Sequence, residues 1–216
     1  ANPIVECIPN FSEGRRSEII EQIVNAAKGE GVQILDVSSD PDHNRTVLSF
    51  AGDPVSVEKA AFASIKKASE LIDLEKHQGE HPRMGASDVI PFVPISDITL
   101  AECVEMAKRL GKKVADELNI PVYLYEAAAT RPDRTNLENV RKGQYEGLKV
   151  EIETNPDRKP DFGPSKMGSA GASVIGARTA LVAFNIYLTT TDVNIAKSIA
   201  KAMRHSSGGF RFVKAA

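Results

Sequence analysis

The chain has 216 residues, 42% of them hydrophobic and 26% charged, which is enough for one large hydrophobic core or two smaller ones. It contains no run of about 18 apolar residues, so the sequence predicts no membrane-spanning helix and no membrane partner. The formal net charge of -2 argues against nucleic-acid binding, and two cysteines are too few for a disulfide framework. The first ten residues show no secretory signal, and we expect a cytoplasmic protein.

Residues 3–94 predict the element order β-α-β-β-α-β. Ser17 is the expected N-cap of the first helix, and Asp53 that of the second, with Pro54 at its first helical position. This order is that of a ferredoxin-like unit, so we predict an α/β (α+β) fold with a mixed sheet and helices on one face. The predicted strands are residues 3–9, 32–38, 45–52 and 88–95.

The last of these strands contains Pro91 and Pro94, which favour an edge strand or a bulge because proline donates no hydrogen bond to a sheet. Thr99 and Glu102 have the spacing of a capping box and predict a helix directly after them. Residues 121–127 then alternate as a further strand.

Thr135 and Glu138 repeat the capping-box spacing before a short helix. Residues 155–176 show no helical or strand period, and the default interpretation of residues 155–170 is a mobile linker. We therefore predict an N-terminal subdomain, residues 1–177, and the beginning of a second, incomplete α/β subdomain, residues 178–216. For the last 40 residues we predict a strand at 177–190, a helix at 192–204 and a strand at 208–216.

The stretch HQGEHPRMGASD, residues 77–88, has two histidines four positions apart. Zinc peptidases place such a pair on a helix with a glutamate directly after the first histidine. Here Gln78 follows His77, Gly79 lies between the histidines and Pro82 follows His81, so the segment is a loop. With no third ligand apparent, the sequence predicts no metal site.

Proton transfer is the other hypothesis for this loop. A loop histidine beside a carboxylate titrates near neutrality, and Glu80, His81 and Arg83 are adjacent. A capping or solvent-exposed histidine is an equally good interpretation of the spacing alone.

Two other loops carry polar side chains next to strands of the same predicted sheet. Most of these side chains are turn formers, although they could line one shared rim. In addition, the basic groups of the 155–170 segment could bind an anionic ligand. The residues concerned are Asn10, Ser12 and Glu13 in the first loop, Asp40, Asp42, His43, Asn44 and Arg45 in the second, and Arg158, Lys159 and Lys166 in the segment.

Six sequence motifs, found in order between residue 4 and the end of the chain, resemble those of the glutamate formiminotransferase family. This family includes the folate-dependent enzyme of histidine degradation and the transferase half of formiminotransferase-cyclodeaminase. GEHPRMG is the most specific part of the match. The motifs are VECIPNFSEGR, NRTV, HQGEHPRMGASDVIPFVP, PVYLYEAAA, PDFGPS and GARTALVAFNIYL.

The resemblance implies two α/β subdomains whose sheets face each other across a folate tunnel. It places the catalytic histidine at His81, with Arg45 and Arg83 as candidates to hold substrate carboxylates. Further candidate substrate contacts are Asn10, Asp40 and Asn44. The segment that resembles the family's folate contacts comprises Asp161, Phe162, Gly163, Pro164, Ser165, Lys166, Met167, Gly168, Ser169 and Ala170.

The implied reaction belongs to one-carbon metabolism. It transfers the formimino group from N-formimino-L-glutamate to N5 of tetrahydrofolate, giving 5-formiminotetrahydrofolate and glutamate. Tetrahydrofolate is a co-substrate, no metal takes part, and the expected partners are a second copy in a homodimer and a separate cyclodeaminase. The alternatives are a formyl-handling relative, acting as a glutamate formyltransferase or in 5-formyltetrahydrofolate metabolism, and a folate-binding fragment without turnover.

Two departures from the family pattern bear on these expectations. The family's module is longer, so the chain would lack its C-terminal part. In addition, relatives carry an acidic residue two positions after the equivalent of Asp36, where this chain has Ser38. If that acid orients the histidine, Asp40, Glu80 or another group must do so here.

Overall fold

A computed structural model describes residues 2–182 and 184–215. The chain divides into two compact units, which we call unit 1 (Ala1–Ala180) and unit 2 (Leu181–Ala216). The strands of unit 1 are β1 (Ile4–Cys7), β2 (Asn10–Phe11), β3 (Gln33–Asp40), β4 (Arg45–Gly52), β5 (Ser87–Ser96), β6 (Val122–Glu126) and β7 (Ser173–Ala177). Its helices are α1 (Ser17–Lys28), α2 (Pro54–Leu71), α3 (Leu100–Leu118), α4 (Leu137–Val140) and α5 (Gln144–Thr154). In unit 2 the structure describes the helix α6 (Val193–Met203).

The strands of unit 1 form one mixed sheet in the order β3, β4, β1 with β2, β5, β7, β6. The pairings from β3 to β5 are antiparallel, and β7 is parallel to both β5 and β6. Strand β1 lies between β4 and β5, which splits the two βαβ units as a ferredoxin-like arrangement requires. The predicted α+β class with a mixed sheet is therefore confirmed.

The core of unit 1 lies between the sheet and a layer formed by α1, α2 and α3. Cys7 pairs with Phe50 on β4 and with Phe92 on β5, and all three side chains are buried. Opposed residues of a sheet point to the same face, so these positions mark the face that the helices cover. Full burial of each large apolar side chain contributes about 1.5–3 kcal/mol to the free energy of folding.

The opposite face of the sheet carries polar side chains at its β3–β4–β2 end. Val47 pairs with Ser38 on β3 and with Asn10 on β2, and it alternates with the buried Leu48 of the core face. Asn10 and Ser38 therefore project away from the helices. This polar face is where the loop residues described below come together.

Local signals in the sequence predicted several helix ends correctly. Asp53 caps α2, because its carboxylate accepts the backbone N–H of Ser56, and Pro54 is the first helical residue. Thr99 and Glu102 form the predicted capping box of α3.

Two predicted N-caps are wrong. Ser17 is the first residue of α1, and Arg16 occupies the cap position without a side-chain cap bond. The Glu13 carboxylate instead accepts the backbone N–H groups of Arg15 and Arg16 and fixes the turn before the helix. At α4 the cap is Asn136, since the backbone N–H of Thr135 is bonded within the preceding 3-10 turn.

The two prolines of β5 lie in an inner strand, so an edge strand was the wrong alternative. Strand β5 pairs with β1 and β2 on one side and with β7 on the other. The alternative of a bulge is confirmed next to Pro94, which pairs with Val5, while Ser96 pairs with Ile4 and leaves Ile95 without an opposed residue. Pro94 cannot donate a hydrogen bond to a neighbouring strand, and at the bulge the pairing is already interrupted.

The strands expected at 177–190 and 208–216 are absent from residues 178–182 and 184–215, whereas α6 falls within the predicted helix. Ala183 and Ala216, which these two predictions include, lie outside the described residues. A strand is defined by ladder bonds to a neighbour, and apolar patterning alone does not supply that neighbour. The strand that precedes this region is β7, and it belongs to the sheet of unit 1.

Helix α5 was missed in the sequence, although its signal is present. Tyr145, Leu148 and Ile152 are spaced as one helical face and are buried. The glycine at position 147 and the charged residues between them weaken the pattern.

Candidate functional site

Two loops of unit 1 meet on the polar face and are joined by hydrogen bonds. We call them the DHN loop (Asp40–Arg45) and the HPR loop (His77–Arg83). The backbone N–H of Glu80 donates to the carbonyl of Asp42 at 3.0 Å, and Asn44 Nδ2 donates to the carbonyl of Gln78 at 3.0 Å. These contacts hold the backbones of the two loops side by side.

The contact between the loops requires glycine at position 79. A Cβ atom there would lie 2.3 Å from the carbonyl oxygen of His43. In the sequence, Gly79 lies between two histidines and argues against a helix. In the structure it permits the close approach of the two loops.

His81 is half-buried at the junction, with its two ring nitrogens in different roles. Nδ1 lies 2.6 Å from the carbonyl oxygen of Pro82, so it carries the proton and donates it to that acceptor. Burial of the ring, followed by the charge of Arg45, lowers the pKa of His81 from its ordinary value to about 4. The imidazole is therefore neutral at pH 7, with the lone pair on Nε2 available as a base.

His77 has a structural position between the loops. Its Nε2 lies 3.0 Å from the carbonyl oxygen of Asn44, and its Nδ1 accepts a hydrogen bond from Arg83 Nε at 3.0 Å. Burial of the ring and the hydrogen bond to Asn44 act in opposite directions on its pKa, and burial prevails, lowering it. Both nitrogens are thus engaged, which leaves neither free for a metal ion.

Arg83 is buried and holds the HPR loop on α5. Its guanidinium forms two parallel hydrogen bonds to the Glu146 carboxylate, at 2.7 and 2.9 Å. A fork-to-fork pair of this kind is geometrically specific. A substrate carboxylate would have to displace Glu146 to reach Arg83, so the predicted substrate contact at Arg83 has a structural competitor.

Arg45 and Arg141 share one buried carboxylate beside His81. Asp88 Oδ2 accepts from Arg45 Nη1 at 2.9 Å and from Arg141 Nη1 at 3.1 Å, while Oδ1 accepts the backbone N–H of Met84. Asn10 Oδ1 accepts from Arg45 Nε at 3.3 Å. Two cations around one carboxylate leave a positive excess, which favours an anionic substrate group.

Asp40 and His43 form a second polar pair on the DHN loop. The backbone N–H groups of Asp42 and His43 donate to Asp40 Oδ1, and Asp40 Oδ2 lies 3.6 Å from His43 Nδ1. The His43 ring lies edge-to-face against the His81 ring, with 5.5 Å between their centroids. Asp40 and His81 are thus brought together through His43.

The structure brings Asn10, Asp40, Asn44, Arg45 and His81 into one region of unit 1. Asp88 and Arg141 also belong there but were not predicted. A charged residue at the start of the apolar strand β5 was a usable signal for Asp88, because a buried carboxylate needs partners. No sequence signal identified Arg141.

The beginning of the 161–170 segment is fastened to the core. The Asp161 carboxylate accepts from the backbone N–H of Leu124 at 2.8 Å and from Arg134 Nη1 at 3.1 Å. The backbone of Phe162 pairs with Val122. The interpretation of residues 155–170 as a mobile linker is therefore wrong for Asp161 and Phe162.

The rest of the segment lines an open cavity of about 550 Å³. Leu118, Asn119 and Ile120 form the opposite wall. The cavity volume falls in the range of small-molecule sites. The segment residues at this cavity are Pro164, Lys166, Met167, Gly168, Ser169 and Ala170, and Gly171 follows them there. Gly163 and Ser165 are exposed beside them.

The far end of the segment runs next to the residues that follow the HPR loop. The backbone N–H of Ala86 donates to the carbonyl of Ala170, and that of Ala172 donates to the carbonyl of Met84. Within residues 2–182 and 184–215, no three or more His, Cys, Asp or Glu side chains are grouped to hold a metal ion. Over the same residues, every helix is too short or too polar to cross a bilayer.

Comparison with known proteins agrees with the resemblance noted in the sequence. The sequence profile of the formiminotransferase domain, N-terminal subdomain, matches residues 4–178. The chain is 52% identical over 214 residues to a glutamate formimidoyltransferase from Streptococcus pyogenes serotype M1, covering 98% of this chain and 71% of that protein. It is 53% identical over 214 residues to a glutamate formimidoyltransferase from Thermoplasma acidophilum, covering 98% and 70%.

Bifunctional proteins also match. A formimidoyltransferase-cyclodeaminase from Rattus norvegicus is 47% identical over 208 residues, which cover 95% of this chain and 38% of the relative. The matched profile spans β1 to β7, the whole sheet on which the DHN and HPR loops are mounted. The chain therefore belongs to the formiminotransferase family, by a match to the profile of its N-terminal subdomain over residues 4–178.

Proposed function

We propose that the protein transfers the formimino group of N-formimino-L-glutamate to N5 of tetrahydrofolate, releasing glutamate and 5-formiminotetrahydrofolate. The observation that carries this proposal is a half-buried histidine, neutral at pH 7, beside a cluster with excess positive charge. The names of the matched relatives support the same activity.

The chemistry requires a base at the attacking nitrogen. N5 of tetrahydrofolate attacks the formimino carbon and must lose its proton. His81 Nε2 takes that proton, because Nδ1 keeps its own proton on the Pro82 carbonyl. General-base catalysis of this kind contributes about 10²–10⁴-fold to a rate. The positive excess around Asp88 attracts the donor's carboxylates.

We assign tetrahydrofolate to the cavity beside the 164–170 part of the segment, as a co-substrate with no metal. Its volume suits a ligand of this size, and Lys166 on its rim is a cation for the folate carboxylates. Asp161 has a supporting role in this arrangement, since its carboxylate is bonded to Arg134 and to the backbone of Leu124.

The wider context follows from the same family. We propose that residues 178–216 begin a second α/β subdomain and that the enzyme is a cytoplasmic homodimer of histidine degradation and one-carbon metabolism. Two free, buried cysteines, Cys7 and Cys103, are in keeping with a reducing compartment. Relatives that fuse the transferase to a cyclodeaminase support a cyclodeaminase as the partner that takes the product.

A steady-state assay tests the proposal. We expect stoichiometric glutamate release that saturates with both N-formimino-L-glutamate and tetrahydrofolate. N-formyl-L-glutamate, tested in parallel, should be the poorer donor. A faster rate with the formyl donor would identify a formyl-handling enzyme. Tetrahydrofolate binding without glutamate release from either donor would identify a folate-binding module.

A further inference from the structure

We propose that His43, backed by Asp40, is a second catalytic imidazole, which protonates the leaving glutamate nitrogen while His81 deprotonates N5. This inference rests on the proposed function and deepens it. One histidine could carry out both proton transfers in turn. Here each transfer is assigned to its own histidine.

The first support is the geometry of the pair. The ring centroids of His43 and His81 are 5.5 Å apart, with 62° between the ring planes. The two rings are thus neighbours, close enough for each to reach one of two nitrogens bonded to the same substrate carbon. His43 is exposed, so its ring is accessible to a ligand.

The second support is that the pair is held in place before any substrate arrives. Asp40 Oδ1 accepts the backbone N–H of His43 at 2.9 Å, which fixes the turn that carries the ring. The bond from Glu80 N–H to the Asp42 carbonyl then ties this turn to the HPR loop. Gly79 lets the two backbones touch at the carbonyl of His43 itself. Such fixed placement of reacting groups is a major source of catalytic rate.

The third support is that the two imidazoles have opposite surroundings. His81 faces Arg45, Arg141 and Asp88, and the charges of both arginines disfavour its protonated form. His43 instead lies beside a single carboxylate, with 3.6 Å between its Nδ1 and Asp40 Oδ2. Two titratable groups in contrasting environments are the arrangement expected of an acid and a base in one site.

The proton balance of the transfer is complete with these two groups. N5 bonds to the formimino carbon, and His81 Nε2 takes the proton from N5. The bond between that carbon and the glutamate nitrogen then breaks, and its electron pair stays on the nitrogen. The His43 imidazolium gives a proton to this nitrogen, so neutral glutamate amine leaves. Solvent then returns one proton to His43 and removes one from His81, and no oxidant or reductant is needed.

The test compares leaving groups of different basicity. The variants are His43→Gln and Asp40→Asn, the second of which keeps the oxygen that accepts the turn's N–H groups and removes only the charge. Controls are His205→Gln, an exposed imidazole in unit 2, and Asp116→Asn, an exposed carboxylate on α3. Each is assayed with N-formimino-L-glutamate and with 4-carboxyphenyl formimidate, whose phenolate is a stable anion and leaves without protonation.

We expect His43→Gln to lower kcat with the glutamate donor by about 100-fold or more, a usual general-acid contribution, with KM little changed. The same variant should lose less than about tenfold with the phenolate-releasing donor, and Asp40→Asn should show the same trend more weakly. His81→Gln should lower kcat equally with both donors, and neither control should change it. Melting temperatures establish that all variants are folded.

Equal losses for His43→Gln with both donors, or no loss with the glutamate donor, would overturn the role of His43 and leave the proposed function standing. An unmodified protein that releases no glutamate would instead overturn the proposed function, and this inference with it.

Discussion

His81 combines two features that are separately ordinary. A histidine bonded through Nδ1 to a carbonyl is common, and so is a histidine near an arginine. Together they fix the tautomer with Nε2 as the base and lower the pKa of the ring to about 4. His81 is therefore already deprotonated at every pH value near neutrality, so the proposed base can accept a proton directly.

The pH dependence of the rate follows from this lowered pKa. Because the rate requires neutral His81, kcat/KM should rise as the pH rises through about 4. An ordinary histidine would place this limb near 6.5. The measurement is kcat/KM for N-formimino-L-glutamate across the acid range, with the residual rate of His81→Gln as the control. A limb centred near 6.5 would contradict the environment described for His81.

At the residue scale, the sequence predicted the base that we propose, His81, but not the charged groups that surround it. GEHPRMG pointed to His81 through its resemblance to the formiminotransferase family, because the density of histidine, glutamate and arginine alone left a solvent-exposed histidine equally good. Arg141 lies 60 positions away in sequence from His81, and nothing local marks it. It reaches the site only because Asp88 binds it together with Arg45.

At the level of elements, the active geometry depends on the packing of the DHN loop against the HPR loop. Gly79→Ala would place a Cβ 2.3 Å from the His43 carbonyl, so the loops must separate. We expect a loss of about 1–3 kcal/mol in the free energy of unfolding, as for other overpacked sites, together with reduced transfer. Urea unfolding and the transfer assay measure the two effects.

Gly147→Ala is the matched control for this prediction. Gly147 lies inside α5, and a Cβ there has no atom within 4 Å. Alanine should therefore stabilise the protein by about 0.5–1 kcal/mol through its helix preference, with transfer unchanged. If Gly79→Ala were as well tolerated as Gly147→Ala, the close contact between the loops would be disproved.

The anchor of the 161–170 segment gives a second prediction at this scale. Arg134 and Asp161 are both shielded from solvent, so Asp161→Ala leaves a buried cation with its carboxylate partner removed. The expected cost is about 3–5 kcal/mol of unfolding free energy. Asp157→Ala, at a mostly exposed side chain, should change stability by less than about 0.5 kcal/mol. Thermal and urea unfolding of both variants measure these changes. Equal losses of unfolding free energy in the two variants would rule out an anchoring role for Asp161.

Elements were predictable where the signal was local. The caps of α2 and α3 depend on residues three positions apart, and both were predicted correctly. The beginning of α1 depends on Glu13, whose carboxylate accepts the backbone N–H groups of Arg15 and Arg16. Glu13 lies four positions before Ser17, and the prediction of Ser17 as the cap was wrong. The inner position of β5 was hidden because its neighbour β7 comes more than seventy residues later in the chain.

For the molecule as a whole, ligand binding should change one part of the 155–170 segment and leave the other unchanged. Asp161 and Phe162 are already bonded to β6, whereas residues 164–170 line the open cavity. Tetrahydrofolate should therefore slow amide hydrogen exchange in residues 164–170 and leave 161–163 nearly unchanged. Exchange measured with and without tetrahydrofolate, beside a binding titration, provides the check. Saturable binding with unchanged exchange at 164–170 would place the ligand elsewhere.

The overall class followed from the order of helices and strands, because that order restricts the possible sheets to a few. The site did not follow in the same way. It combines parts from the DHN loop, the HPR loop, β5 and the stretch after α4, and only the folded sheet shows that these are adjacent.

The position of β7 also bears on how the protein is made. The last strand of unit 1 to be synthesised lies between β5 and β6, both of which precede it in the chain. At about 5–20 residues per second, β5 leaves the ribosome roughly 4–15 s before β7. Throughout that interval one edge of β5, with its apolar side chains, has no strand to pair with. The nascent chain therefore carries an edge open to pairing with other chains during this stage, and the emergence of residues 173–177 sets the earliest moment at which the sheet closes.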